Sequence, residues 1–380
     1  LSVLMRIAFN AGVLKAPRTG IGQYTAALAQ ALVERPDLSV EYFLGDRWGM
    51  ELPNVLPGYS RAVALAKRVP GAYRIRRWLE QSSFDRGLRQ RSIDLYHDPS
   101  LWPLEFDGPM VMTLHDLTHV HFPQTQPADR LAEIERHVGR GVERAQCVLT
   151  DSEHVAGEIR RHFGLPAERV IVAPLGCAPR FHPREEQALH ATLAALDLVA
   201  GQYLICVGTL EPRKNLELAL RAHTLLPRNL RSRLPLVIAG MPGWRHAALD
   251  ETLASAMREG WVKVLGYQSD EALAKLLAGA RALLFPSLYE GFGLPVLEAM
   301  ASGVPVVLTR TSSLPEVAGE AGVYVDAQEP QGMCEAIRKL VEDPVLHQRC
   351  RELGLERARQ FSWQRCAHIT RDAYQKAVGG

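Results

Sequence analysis

Residues 283–307 read LLFPSLYEGFGLPVLEAMASGVPVV. An apolar run ends near Ser287, a glycine-bearing loop follows, Pro295 opens a helix, and a second apolar run, PVVLT, covers 305–309. Proline suits the first helical turn, where its missing N–H is not needed and its φ is already helical. Strand, helix and strand in so short a span predict two parallel strands joined by a crossover helix.

The same rhythm continues outward from this stretch. In the second half, strands are predicted at 203–208, 235–240, 262–266, 282–286, 305–309 and 323–326, and helices at 215–226, 246–259, 270–279, 295–302 and 331–341. In the first half, strands are predicted at 6–10, 40–44, 94–97, 110–114, 147–151 and 170–174, with helical spacing over 21–34 and 153–163. Between the halves, residues 176–201 begin rich in proline and charge, as a linker does. At 380 residues the chain exceeds what one core usually serves. The reading is an α/β chain of two Rossmann-like domains, 1–185 and 186–361, facing across a deep crevice. A last helix, 362–380, capped by Ser362, crosses back to the first domain.

Composition narrows the function. The 44 basic and 42 acidic residues leave a formal net charge of +2, which implies no nucleic-acid partner. The cysteines, at 147, 177, 206, 334, 350 and 366, form no C-x-x-C pair, and several sit in apolar runs. They read as reduced core residues of a cytoplasmic protein. No stretch has the ~20 apolar residues of a membrane span. The start lacks a signal-peptide pattern, and the protein proper is expected to begin near Met5. One segment stands apart: residues 61–91 carry nine Lys/Arg against Glu80 and Asp85, interleaved with Tyr73, Trp78 and Phe84. Such a stretch can lie on anionic lipid, bind RNA, or be only a solvated helix face.

Three loops carry chemistry. In 16–24, APRTGIGQY, Gly20 and Gly22 precede or open a helix, whose free N–H groups suit an anion. The spacing matches neither a dinucleotide fingerprint nor a P-loop, so a purely structural turn stays open. In 207–216, VGTLEPRKNL, Arg213 and Lys214 stand ahead of a helix with Asn215 as its expected N-cap. Two cations there suit a diphosphate; a solvated basic pair is the alternative. In the quoted stretch, Glu290 lies in the loop and Glu298 is expected in the first helical turn, hence ionised and able to take both hydroxyls of a ribose. Glu290 with the N–H groups of Gly291, Phe292, Gly293 and Leu294 can grip a polyhydroxylated ring. Two His-Asp pairs, His97-Asp98 and His115-Asp116, end strands, with His119, His121 and His154 near in sequence. No zinc-ligand spacing stands out, so no metal is expected. His115, closing an apolar strand, can bond a hydroxyl or stabilise charge in a transition state.

Taken together, EGFGLPVLEAMASG (290–303), GTLEPRKNLELAL (208–220), TLHDLTHVHFP (113–123), DSEHVAGEIRRHFG (151–164) and FSWQRCA (361–367) resemble the retaining glycosyltransferases of the GT-B class, family 4. The resemblance spans nearly the whole chain. It implies an acceptor-binding first domain and a donor-binding second domain. Glu298 would hold the ribose, Glu290 the transferred hexose, Arg213 and Lys214 the diphosphate; His115 would sit near the transferred sugar. Gly20 and Gly22 would approach the phosphates and acceptor. Thr209 departs from the pattern, since many members have arginine there, and this throws more weight on Arg213. The resemblance further implies no cofactor beyond the nucleotide sugar, no metal and no enzyme nucleophile. It points to mannose on GDP, moved to a glycan or lipid-linked acceptor of surface polysaccharide, by a protein cytoplasmic or peripheral on the inner membrane face. A UDP-sugar enzyme acting on a soluble acceptor, and a non-catalytic sugar- or lipid-binding protein, are the alternatives.

Overall fold

The computed structural model describes residues 4–15, 20–53, 72–125, 128–241, 243 and 247–379. The chain divides into two compact units, one of Leu1–Gly176 with Ser362–Gly380, the other of Cys177–Phe361.

In the first unit the strands are β1 (Met5–Asn10), β2 (Leu38–Phe43), β3 (Trp48–Gly49), β4 (Leu95–Asp98), β5 (Met110–Thr113), β6 (Cys147–Thr150) and β7 (Val170–Val172). Their order in the sheet is β3-β2-β1-β4-β5-β6-β7. Only β3 runs antiparallel to its neighbour. This strand is absent from the sequence reading because two residues carry no periodicity. Ile7 of β1 lies opposite both Val40 and Leu95, which sets the register. Every residue of β5 and β6 is buried, as expected of strands covered on both faces. Each large apolar side chain placed there contributes roughly 1.5–3 kcal/mol.

The terminal helix, Trp363–Gly379, belongs to this unit and packs along the helix Gly20–Val33. The Arg365 N–H donates to the Ser362 hydroxyl at 3.1 Å, the expected cap. Trp363 and Tyr374 are buried, and Arg371 pairs with Asp37 at 2.7 Å. Gly176 makes this return of the chain possible: a Cβ there would lie 2.1 Å from the Trp363 nitrogen.

The second unit holds β8 (Leu204–Val207), β9 (Leu236–Ala239), β10 (Val262–Gly266), β11 (Ala282–Phe285), β12 (Val306–Thr309) and β13 (Gly322–Val325). They form a parallel sheet in the order β10-β9-β8-β11-β12-β13. The helix between β11 and β12 runs Leu294–Ala301, with Gly293 as its N-cap in the left-handed region (φ 105°) and Pro295 in its first turn. The expected linker is partly structured. Residues Glu186–Ala194 form a helix that buries Leu189 and Leu193 and packs on the helix Asp270–Ala278.

Each sheet reverses direction once. In the second unit β8 and β11 are neighbours, with β9 and β10 on one side and β12 and β13 on the other. Loops leaving the carboxyl ends of β8 and β11 therefore turn to opposite faces and open a crevice where they part. In the first unit β1 and β4 are the corresponding pair.

Candidate active site

The loop after β8 starts at Gly208, which has φ 142°. Its carbonyl lies so close to the end of β9 that a Cβ on Gly240 would be 1.8 Å from it. Pro212–Lys214 then form one 3-10 turn. Asn215, expected as a side-chain cap, has φ 50°, caps nothing with its side chain, and donates its amide to the Ala327 carbonyl at 2.9 Å. Its role is to turn the backbone, a conformation asparagine tolerates better than most residues.

That turn aims Arg213 and Lys214 at the loop after β11. Lys214 Nζ lies 2.6 Å from Glu290 Oε1, and an Arg213 terminal nitrogen lies 3.0 Å from Glu290 Oε2. Arg213 also donates to the Tyr289 carbonyl at 2.9 Å and pairs through Nε with Glu211 at 2.7 Å. Lys214 stands 5.1 Å from the centre of the Phe285 ring. Burial opposes the Glu290 carboxylate, but Lys214 and Arg213 outweigh it and hold its pKa at about 2. Burial pulls Lys214 below its ordinary range, with Glu290 opposing. The cluster is thus an ionised acid between two cations. The Lys214 ammonium has three donors, so an anion can bond it without displacing Glu290. A small cavity beside the cluster is lined by Val207, Gly208, Thr209, Lys214, Phe285 and Ser287.

Gly291, Phe292 and Gly293 are buried and Leu294 is half-buried. Phe292 packs edge-on to Phe361, ring centres 5.7 Å apart. Glu298 departs from expectation in two ways. It lies in the second helical turn, since the helix begins at Leu294. It is also not set to be ionised: desolvation, with Asp270 adding and Arg180 opposing, pushes its pKa up to about 8. The helix N-terminus is too far to offset this. Among the described residues its carboxyl accepts no hydrogen bond. Arg180, beside it, is ion-paired with Asp270.

His115 belongs to the first unit, just past β5. One ring nitrogen lies 2.8 Å from Asp151 Oδ2 and the other 3.2 Å from the Pro99 carbonyl. Burial disfavours its imidazolium, yet Asp151 and the Pro99 carbonyl outweigh burial and raise its pKa. Both nitrogens can then donate, and a sugar hydroxyl would have to take the place of the Pro99 carbonyl. Tyr24 meets the ring edge-on at 4.5 Å. The Tyr24 hydroxyl bonds Thr113 at 2.9 Å, Thr113 bonds His97 at 2.8 Å, and His97 bonds Tyr374 at 2.6 Å. This chain ties β4, β5 and both helices together beneath His115. His97, fully buried, has its pKa lowered to about 3 by desolvation and His115, so it is a neutral structural residue. Asp98 accepts from Asn10, Tyr96 and Ser100, which fixes the ends of β1 and β4.

Gly20 and Gly22 are the first and third residues of the helix Gly20–Val33 rather than parts of a loop. A Cβ on Gly20 meets nothing within 4 Å; Gly22 is buried. Residues 16–19 of that motif lie outside the described residues. His121 and His154 pair with Glu158 at 2.9 and 3.4 Å. Among the described residues no group of three or more His, Cys, Asp or Glu could hold a metal. All six cysteines are free thiols, five of them buried.

Asp151, Glu211, Arg180 and Asp270 escaped the sequence reading as site residues. Glu211 stands two positions from Arg213 and Asp151 closes β6, so position gave a usable signal for these two. Arg180 and Asp270 meet only through the fold.

Two family models match the chain: Glycosyltransferase Family 4 over residues 18–181 and Glycosyl transferases group 1 over residues 199–357. The chain is 34% identical over 379 residues to O-antigen chain mannosyltransferase B of Escherichia coli, covering 98% of this chain and 100% of that one. It is 27% identical over 239 residues to the serotype-specific mannosyltransferase WbdA of the same organism, covering 62% of this chain and 29% of the much longer relative. Among solved structures, sucrose-phosphate synthase from Thermosynechococcus elongatus superposes with a TM-score of 0.76 at 22% identity, over 98% of each chain. Two α/β units, each built on a sheet whose strand order reverses once, define the class, a GT-B glycosyltransferase. The chain belongs to glycosyltransferase family 4. It is an enzyme that acts on a nucleotide-sugar donor and a glycan or lipid acceptor.

Proposed function

We propose that the enzyme transfers mannose from GDP-mannose, with retention, to a glycan on a lipid carrier during surface polysaccharide synthesis. The observation that carries the choice of sugar is the full-length similarity to an O-antigen chain mannosyltransferase. The cluster of Glu290, Arg213 and Lys214 where β8 and β11 part supports a donor site in the second unit. Arg213 and Lys214 bind the diphosphate there, and Glu290 with the Gly291–Leu294 backbone holds the hexose. Glu298 takes the ribose hydroxyls, and Thr209 lines the same loop. His115, Gly20 and Gly22 serve the transferred sugar and the acceptor from the first unit. No metal takes part, and the leaving phosphate assists deprotonation of the acceptor.

A thermal-shift panel of GDP, UDP, ADP and dTDP tests the base. Stabilisation by GDP alone is expected; selective stabilisation by UDP overturns the choice. The anomeric proton signal of the product, read by NMR, tests retention.

We propose also that the helix Ala72–Leu88 rests on anionic lipid at the inner membrane face. Ile75, Trp78 and Leu79, spaced i, i+3, i+4, are 62%, 67% and 55% exposed, and Arg74 beside them is exposed. An exposed tryptophan among aliphatics and arginines suits a lipid interface. Four arginines of the stretch are already engaged: Arg76 with Glu80 at 2.8 Å, Arg77 with the carbonyls of Trp102 and Pro103, Arg86 with the Ser82 carbonyl at 3.2 Å, and Arg91 with Glu41 at 2.7 Å. The apolar trio and Arg74 therefore carry the contact. The part of the basic stretch before residue 72 lies outside the described residues.

A further inference from the structure

Glu290 is held at its backbone as well as at its carboxylate, and the two grips come from different loops. The backbone grip belongs to the segment Thr309-Arg310-Thr311-Ser312-Ser313, which leaves the carboxyl end of β12. The Glu290 N–H donates to the Ser312 hydroxyl at 2.8 Å. The Ser313 hydroxyl donates to the Glu290 carbonyl at 2.8 Å and reaches the Phe292 carbonyl at 3.0 Å. Three residues before Glu290 in the same loop, the Ser287 carbonyl accepts from Thr309 and from Thr311, the latter at 2.9 Å. Four hydroxyls in one five-residue segment thus bond the backbone of Ser287–Phe292.

The geometry is costly to maintain. Ser312 has φ 48°, in the left-handed region, which costs a non-glycine residue about 1–2 kcal/mol. Glycine would adopt that backbone without strain but has no hydroxyl for the Glu290 N–H. Ser313 is fully buried, so its hydroxyl faces only these carbonyls and not solvent. The two loops touch elsewhere too: a Cβ on Gly293 would lie 2.8 Å from the Leu314 side chain.

We infer that Ser312 and Ser313 are positioning residues for sugar transfer: they set where the Glu290 carboxylate stands beside Arg213 and Lys214. The inference rests on the reading of Glu290 as the residue that meets the transferred hexose. A loop freed at Glu290 lets the carboxylate drift by a fraction of an ångström to an ångström while both cations still hold it. Displacements of that size are enough to cost a transfer step up to ~10²-fold. The diphosphate ligands, on the other loop, are left in place.

The test uses the full-length enzyme and two readouts. Calorimetry gives GDP affinity. Turnover is nucleoside diphosphate release with whichever of GDP-mannose or UDP-glucose the wild type consumes. Ser313→Ala and Ser312→Gly are each expected to lower kcat about 10-fold or more, with GDP affinity within a factor of about three of the wild type. Ser313→Thr, which keeps the hydroxyl, is expected to recover most of the rate. Adding Ser313→Ala to Glu290→Gln is expected to cost little beyond Glu290→Gln alone, because both changes act through one carboxylate.

A purely structural role predicts that rate and GDP affinity fall together, and that result overturns the inference. So does wild-type kcat in both Ser313→Ala and Ser312→Gly, or the same rate loss with Glu290 as with glutamine at 290. Ser312→Gly relieves backbone strain and keeps the fold testable if Ser313→Ala proves unstable. Wild-type turnover in Glu290→Gln would instead overturn the role of Glu290 itself, so the two failures are distinct.

Discussion

Glu290→Gln removes a charge from the crevice between β8 and β11 while keeping the side chain's shape. Glu290 is 6% exposed, so water screens its pairs little. Its pKa is about 2 against an ordinary 4.5: burial works against the carboxylate, and Lys214 and Arg213 more than offset it. At ~1.4 kcal/mol per pKa unit, this corresponds to about 3 kcal/mol of folding stability at neutral pH. The folded-state pKa is the lower of the two. The contribution is therefore complete above the unfolded pKa and is lost as pH falls from about 4.5 towards about 2. Glutamine leaves Lys214 without its ion-pair partner and Arg213 with Glu211 alone, at every pH. Urea unfolding of wild type and Glu290→Gln, followed by circular dichroism at pH 7 and pH 3, measures the gap. It is expected to be about 3 kcal/mol at pH 7 and under half of that at pH 3. A gap below ~1 kcal/mol at pH 7, or one that does not shrink in acid, refutes the reasoning and leaves the cluster a solvated ion pair.

Glu298 loses its proton near pH 8, and ribose hydroxyls donate best to the ionised form, so GDP affinity should strengthen from pH 7 to pH 9. At pH 9 Glu298→Gln should bind GDP more weakly than the wild type by roughly 1.5–3 kcal/mol, and it should show no such slope by calorimetry; a slope of opposite sign would make the protonated carboxyl the ligand. Asp151→Asn removes the main group favouring the His115 imidazolium against burial, so an NMR titration should place the His115 midpoint lower than in the wild type, and an unmoved midpoint counts against the pair. Trp78→Ser with Ile75→Ser should cut co-sedimentation with phosphatidylglycerol vesicles while leaving GDP affinity unchanged; full sedimentation excludes that helix as the membrane contact. Gly240→Ala drives a methyl into the Gly208 carbonyl and should lower stability by ~3 kcal/mol or more in urea unfolding; a near-neutral result would mean that the ends of β8 and β9 part easily.

Short-range patterns reached far in this chain. The parallel strands of both sheets were legible because buried strands such as Ala282–Phe285 and Val306–Thr309 are mainly apolar runs between turn signals, as expected of strands covered on both faces. The loops after β8 and β11 were legible for the same reason: a strand's end, a glycine and a helix start are local events. The limits were local too. Trp48–Gly49 has no period to detect, Asn215 turns the backbone where a cap was expected, and the helix Glu186–Ala194 was lost behind a proline-rich approach.

What the amino-acid order determined alone was the element sequence and the residue types available at each strand end. Only the tertiary structure decided how they pair. Arg213 and Lys214 stand 76 or more residues from Glu290 in sequence, yet their charges neutralise one another because sheet order sets β8 beside β11. Glu298 was expected to be charged from its place on a helix. It is pushed towards neutrality by burial and by Asp270, a residue on another helix. The physical reason is range. Hydrogen-bonded turns and periodicity act over a few residues and are written in the chain. Desolvation and Coulomb interaction depend on distance in space, and the fold alone supplies that distance.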